Sequence, residues 1–243
     1  MKIDRNAIPY LNGSKFSNGI KFLFSSKESF IADRITLLKT ITKDANVVHV
    51  GCADHMELIE KKRKKGTWLH DILLKNTKHC IGIDINIETV KYLTDELNID
   101  DIHCADIIKD KIPQITDKKW DYILLGEILE HTDNPVMFLS SIKEKYSGII
   151  DKIVITVPNA FCINNFFGTL KHSENINTDH RYWFTPFTIS KVLAEAGMEV
   201  DNIYLCQLRP FRYKFLSLRN RLKGLFLRKY PGLRNTLVVT AKI

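Results

Sequence analysis

The chain has 243 residues, 44% of them hydrophobic and 26% charged, with a formal net charge of +8. That composition is ordinary for a globular protein and supports one large core, or two small ones. No apolar run reaches the ~18 residues of a membrane-spanning helix, and the opening Met-Lys-Ile-Asp-Arg-Asn-Ala-Ile-Pro lacks the apolar core of a signal peptide.

The five cysteines, at 52, 80, 104, 162 and 206, form no C-x-x-C pair. We read them as reduced residues of a cytoplasmic protein. The charge is local: nine Lys and Arg fall between Arg209 and Arg234 without one acid, leaving 27 of the 36 basic residues against 28 acidic ones elsewhere. That stretch points to an anionic partner.

Residues 1–43 read as an N-terminal extension ending in a helix. Periodicity through Ile31, Ile35, Leu38 and Ile41 predicts that helix over 28–42. Strand signals follow at 46–51, 79–84, 119–125 and 151–157, with a weaker one at 101–105. Helix signals lie at 67–76, 87–97, 135–145 and 187–197. This alternation predicts βαβ units and a parallel sheet with helices on both faces. Thr185-Pro186 suits a cap and first-turn proline. Residues 198–208 and 236–243 read as two more strands around a basic insertion, 209–235. Within it Phe211, Phe215, Leu218, Leu222, Leu225 and Phe226 recur at helical spacing. The insertion suits an anionic membrane surface, a phosphorylated acceptor, or packing on its own domain with a solvated basic face. We read 44–243 as one domain.

Four strand ends carry the chemistry. Val47-Val48-His49-Val50-Gly51-Cys52-Ala53-Asp54 is an apolar strand running into a tight turn of small residues. Gly82-Ile83-Asp84-Ile85-Asn86 ends a second strand in a carboxylate able to accept two ribose hydroxyls. Asn86 is the better helix cap, which leaves Asp84 to a ligand. Cys104-Ala105-Asp106-Ile107 offers an acceptor for an exocyclic amine and an apolar face for a purine, or simply a turn aspartate. Trp120-Asp-Tyr-Ile-Leu-Leu-Gly-Glu-Ile-Leu-Glu-His131 is a strand buried on both faces that delivers Glu127, Glu130 and His131 to its carboxyl end. Glu127, Glu130 and His131 share one face if a helix begins there.

In order and spacing these motifs, together with Thr156-Val-Pro-Asn159, resemble the class I S-adenosylmethionine-dependent methyltransferases of type 11 and type 23 over roughly residues 44–205. The resemblance implies a Rossmann-like α/β fold with a seven-stranded, mostly parallel sheet and an antiparallel last strand. It implies Gly51, Cys52, Ala53 and Asp54 against the methionine part of the cofactor, and Asp84 with Ile85 at the ribose. Asp106 and Ile107 would meet the adenine, and Gly126 and Glu127 the sulfonium. The chain departs from the family in carrying His49 for an acid, and Ala53 and His55 for glycines, with a basic loop at 60–66. Asp54 or His55 is the substitute for holding the amino-acid end.

Methyl transfer to a hydroxyl needs an aligned nucleophile and a proton acceptor, for which His131, His180 and Glu127 are the candidates. Glu127, Glu130, His131 and His180 also resemble the metal-binding pattern of small-RNA 2′-O-methyltransferases and of some ubiquinone-pathway O-methyltransferases. A divalent cation there would polarise an acceptor hydroxyl; without a cation, Glu130 and His131 brace the loop. The expected function is O-methylation of a small anionic acceptor or a surface-polysaccharide precursor. An RNA 2′-O-methyltransferase and a non-catalytic binding protein on the same fold are the alternatives. The missing dinucleotide glycines argue against a nicotinamide dehydrogenase.

Overall fold

The computed structural model describes residues 2–23, 33–208 and 218–243. Along the chain run α1 (Ile8–Leu11), α2 (Arg34–Ile41), β1 (Asn46–Val50), α3 (Met56–Lys64), α4 (Leu69–Leu74), β2 (His79–Asp84) and α5 (Ile87–Lys91). Then come β3 (Ile102–Cys104), α6 (Pro113–Thr116), β4 (Trp120–Gly126), α7 (Pro135–Tyr146) and β5 (Ile150–Pro158). The last elements are α8 (Ile163–Leu170), α9 (Pro186–Glu195), β6 (Glu199–Cys206), α10 (Leu218–Lys229) and β7 (Thr236–Lys242). Residues 28–32 of the predicted first helix and 209–217 of the basic insertion lie outside the described residues.

The seven strands form one sheet in the order β3-β2-β1-β4-β5-β7-β6. The β1–β2, β1–β4, β2–β3 and β4–β5 pairs are parallel, while β7 runs antiparallel to both β5 and β6. This is the Rossmann-like methyltransferase topology that the strand–helix alternation and the resemblance implied. The middle of the sheet is largely apolar because both of its faces are covered, while the edge strand β6 (Glu199–Cys206) is only partly buried. On β4, Ile123 and Leu125 enter the core formed with Leu139 and Ile142 of α7 and Leu193 of α9. Leu124, pointing the other way, packs with Leu37 and Leu38 of α2 and Leu73 of α4. The chain order reverses between β1 and β4, the place where open sheets leave a crevice at their strand ends.

Local sequence fixes the helix starts. Asn86 Oδ1 accepts the Thr89 N–H at 3.0 Å and caps α5, and Thr185 forms a capping box with Thr188 at α9. Two segments differ from the sequence reading. Residues 60–66 are largely helix α3 rather than loop, since Glu, Lys, Arg and Leu favour helix and Ile59 is buried beneath them. The region after β5, where no helix signal was noted, contains α8. No helix among the described residues is long and apolar enough to cross a membrane.

Candidate active site

The carboxyl ends of β1, β2 and β4 open into a cavity of about 510 Å³. Gly51, Cys52, Ala53, Asp54, Asp84, Gly126, Glu127, His131 and His180 all line it. Gly51 turns the chain with φ +67°, where any side chain would be strained and its Cβ would displace Ile128, 2.7 Å from Cδ1. Gly82 is needed for a different reason: a Cβ on it would sit 2.6 Å from Cys52 Sγ. That close packing sets the β1 turn beside Asp84.

Asp84 receives the N–H groups of Ala53 and Asn86, each at 3.0 Å, one on each carboxylate oxygen. Each oxygen keeps a lone pair for a further donor. Burial raises its pKa, and the backbone N–H groups counter that effect. Asp54 pairs with Lys62 of α3, which also lines the cavity. Ile85, Asp106 and Ile107 are not among the lining residues. Ile85 is exposed beyond the strand tip, and Ile107 lies in the core under Tyr146, whose hydroxyl donates to the Ile107 carbonyl. Asp106 closes its own turn by accepting the N–H groups of Ile108 and Lys109. Burial pushes its pKa up, but those hydrogen bonds and Lys109 prevail and leave it below the usual value.

At the cavity floor His49, which lines it, meets the buried His70 beneath through their Nδ1 atoms at 3.2 Å. Burial lowers both pKa values, that of His70 to about 4, and for His49 the His70 and Arg34 charges add to the effect. Both rings are therefore neutral near pH 7, and one nitrogen of the pair donates to the other.

Glu127 has φ +59°, a conformation rare for a side chain of its size. The fold holds it there from three sides. Its N–H donates to the Thr156 carbonyl at 3.0 Å, and its carboxylate accepts the Thr156 hydroxyl at 2.9 Å and pairs with Arg34 at 3.2 Å. The chain then enters a 3₁₀ turn, Leu129–His131, rather than an α-helix, so the helical one-face spacing does not apply. What brings Glu130, His131 and His180 together is the loop from 177 to 183. Arg181 donates its N–H to the Glu130 carbonyl at 2.8 Å and its guanidinium to the His131 carbonyl. The His131 and His180 rings meet edge to face, with centroids 4.7 Å apart.

Glu130 is fully buried, and neither of its carboxylate oxygens has a hydrogen-bond partner among the described residues. Burial, then the Glu127 charge, pushes its pKa up to about 9. His180 Nε2 stands 4.0 Å from Glu130, and one ligand atom each from Glu130, His131 and His180 lie within 4.8 Å of one another. Burial, then the His131 charge, lowers the His180 pKa.

A second cavity, of about 690 Å³, adjoins the first and shares Glu127, Asn177 and His180 with it. Its other walls come from the end of β5, from Asn164, Asn165, Gly168 and Thr169 of α8, and from Trp183. Arg34, Lys62 and Arg181 carry no motif, and the sequence did not single them out.

A parallel-centred sheet in this strand order, with a glycine turn after β1 and an acid at the tip of β2, defines a class I methyltransferase fold. The family model described as a methyltransferase domain matches residues 24–203, and the chain belongs to that family, whose cofactor is S-adenosylmethionine. Among solved structures, the chain is similar to the small RNA methyltransferase HEN1, with 14% identity and TM-score 0.53 over 92% of this chain and 27% of that one. It is also similar to a SAM-dependent methyltransferase from Archaeoglobus fulgidus, with 20% identity and TM-score 0.48 over 86% and 95%. A third similar structure is the magnesium protoporphyrin IX methyltransferase of Synechocystis PCC 6803, with 11% identity and TM-score 0.49 over 86% and 81%. A search of curated protein sequences finds no match.

Proposed function

We propose that the protein methylates a hydroxyl of a small anionic acceptor, such as a nucleotide-linked sugar, a phosphorylated metabolite or a surface-polysaccharide precursor. The observation that carries this reading is the shared wall: Glu127, Asn177 and His180 border both cavities. Displacement at a methyl carbon requires nucleophile and leaving group in line, and two cavities meeting at one wall offer that arrangement. S-adenosylmethionine supplies the electrophilic methyl group on its sulfonium.

The chain's own residues do the rest. Asp84 accepts the ribose hydroxyls, and the Gly51–Asp54 turn with Lys62 holds the amino-acid end. Glu127, fixed by Arg34 and Thr156, presents negative charge to the sulfonium side. His180, neutral because burial depresses its pKa, accepts the acceptor's proton with His131 against its ring. Free cysteines throughout the described residues are in keeping with the cytoplasmic setting we propose.

The test is release of S-adenosylhomocysteine with a panel of sugar nucleotides, phosphorylated metabolites and RNA oligonucleotides. Turnover on an anionic small molecule, reduced about 10²-fold or more by His180→Ala, supports the reading. Turnover confined to RNA, or none with any acceptor, overturns it.

One observation favours a second reading. A buried carboxylate with two unpartnered oxygens beside two imidazoles is a donor set that fits a divalent cation. Glu130, His131 and His180 would hold it, with Glu127 nearby, and it would polarise an acceptor hydroxyl such as the 2′-hydroxyl of an RNA. Activity abolished by a chelator and restored by Mg²⁺, Mn²⁺ or Zn²⁺ supports this reading, and chelator-resistant activity excludes it.

A further inference from the structure

Helix α8 is strongly amphipathic in sequence, yet none of its residues is buried. Helix α10 touches the domain through Leu227 and turns the rest of its apolar side outward. Phe166, Phe167 and Leu170 of α8 and Leu222, Leu225 and Phe226 of α10 are between 43% and 63% exposed. Leu218, Leu222, Leu225 and Phe226 follow an i, i+4, i+7, i+8 spacing and form one stripe. The two helices are neighbours: Lys223 Nζ donates to Asn164 Oδ1 at 3.2 Å, and Phe166 and Tyr230 line one cavity of about 630 Å³. Around the apolar side chains stand Lys171, Arg221, Lys223 and Lys229, all exposed.

We propose that this face docks on an anionic lipid bilayer. Charge selects that occupant. A second copy of the chain would press two acid-free basic helices together, and like charges repel. A nucleic acid would meet the cations but leave six large apolar side chains without a partner. A bilayer takes both at once, with apolar tips below the headgroups and Lys and Arg against anionic phosphates. Ala160, Cys162, Asn165 and Thr169 border both this cavity and the one that adjoins the cofactor site. Docking would therefore hold the acceptor cavity beside the headgroups. That last consequence rests on the proposed methyl transfer; the docking does not.

Flotation of the full chain with phosphatidylcholine vesicles, with and without phosphatidylglycerol, tests the proposal. The expected result is binding only to the phosphatidylglycerol vesicles, lost as salt is raised. Leu222→Asp with Leu225→Asp should weaken binding about tenfold or more, and Lys223→Glu roughly fivefold. All of these positions are exposed, so thermal melting should not change. Failure to float with anionic vesicles, or equal flotation of the variants, overturns the proposal. So does a dimer that the same substitutions dissociate, or RNA binding tighter than vesicle binding. Vesicle binding requires no methyl transfer, so its failure and that of the proposed reaction are separately visible.

Discussion

The His49–His70 pair makes the protein acid-sensitive in a definite window. His70 is fully buried and its pKa is held down at about 4 by burial, against 6.5 for a free histidine. The unfolded chain takes up the proton first as pH falls, so stability is intact above about pH 6.5 and is lost as pH drops toward 4. A shift of that size costs roughly 2 kcal/mol between pH 7 and pH 4.5 from His70 alone, at about 1.4 kcal/mol per pKa unit. His70→Asn keeps a polar atom near the Nδ1 position facing His49 and removes the titration. Urea unfolding at pH 7 and pH 4.5 reads the difference, with equal slopes required for the comparison. The substitution lowers stability at pH 7 through the smaller side chain. Its further fall on acidification should nevertheless be smaller than that of the parent by roughly 2 kcal/mol. An equal fall in both proteins would show that the pair is not held neutral and would refute the reasoning.

Three further outcomes follow from the site. Because His180 is depressed below the ordinary histidine value, kcat/KM should stay level down to about pH 6.5. It should decline only as pH falls through the lowered pKa; a decline beginning above pH 7 would remove His180 as the base. Arg34→Gln takes away the cation facing Glu127 and should reduce kcat/KM about tenfold or more, as for a charge-assisted hydrogen bond; unchanged kinetics would leave Glu127 without its proposed anchor. Arg181→Ala frees the loop that carries His180, so hydrogen exchange at 177–183 should accelerate while the sheet strands keep their protection.

The sheet was legible because β1, β2 and β4 are short, mostly apolar runs that end in glycine or acid, which leaves few other structures for them. Asn86 and Thr185 announced their helices by cap chemistry that acts over three residues. Helix α3 was hidden by its charge: Glu60 to Lys65 looks like a solvated loop unless the single buried Ile59 is weighed. Helix α8 was hidden because its apolar residues face outward rather than into a core. In the site, Glu127, Glu130 and His131 were visible as one motif. Their meeting with His180 depends on Arg181, whose bonds to Glu130 and His131 are to backbone carbonyls that any residue could supply. Arg34 was invisible for a similar reason, since its partner Thr156 is 122 positions away along the chain.

The most direct test is calorimetric titration of the protein with S-adenosylhomocysteine, alongside Asp84→Ala. The expected result is one site per chain, lost or weakened at least tenfold in the variant while its melting curve stays cooperative, since a ligand hydroxyl bound to a charged group contributes about 1.5–3 kcal/mol. Absence of binding to the parent protein, or binding indifferent to Asp84, would contradict the assignment of the β1–β2–β4 cavity to the cofactor.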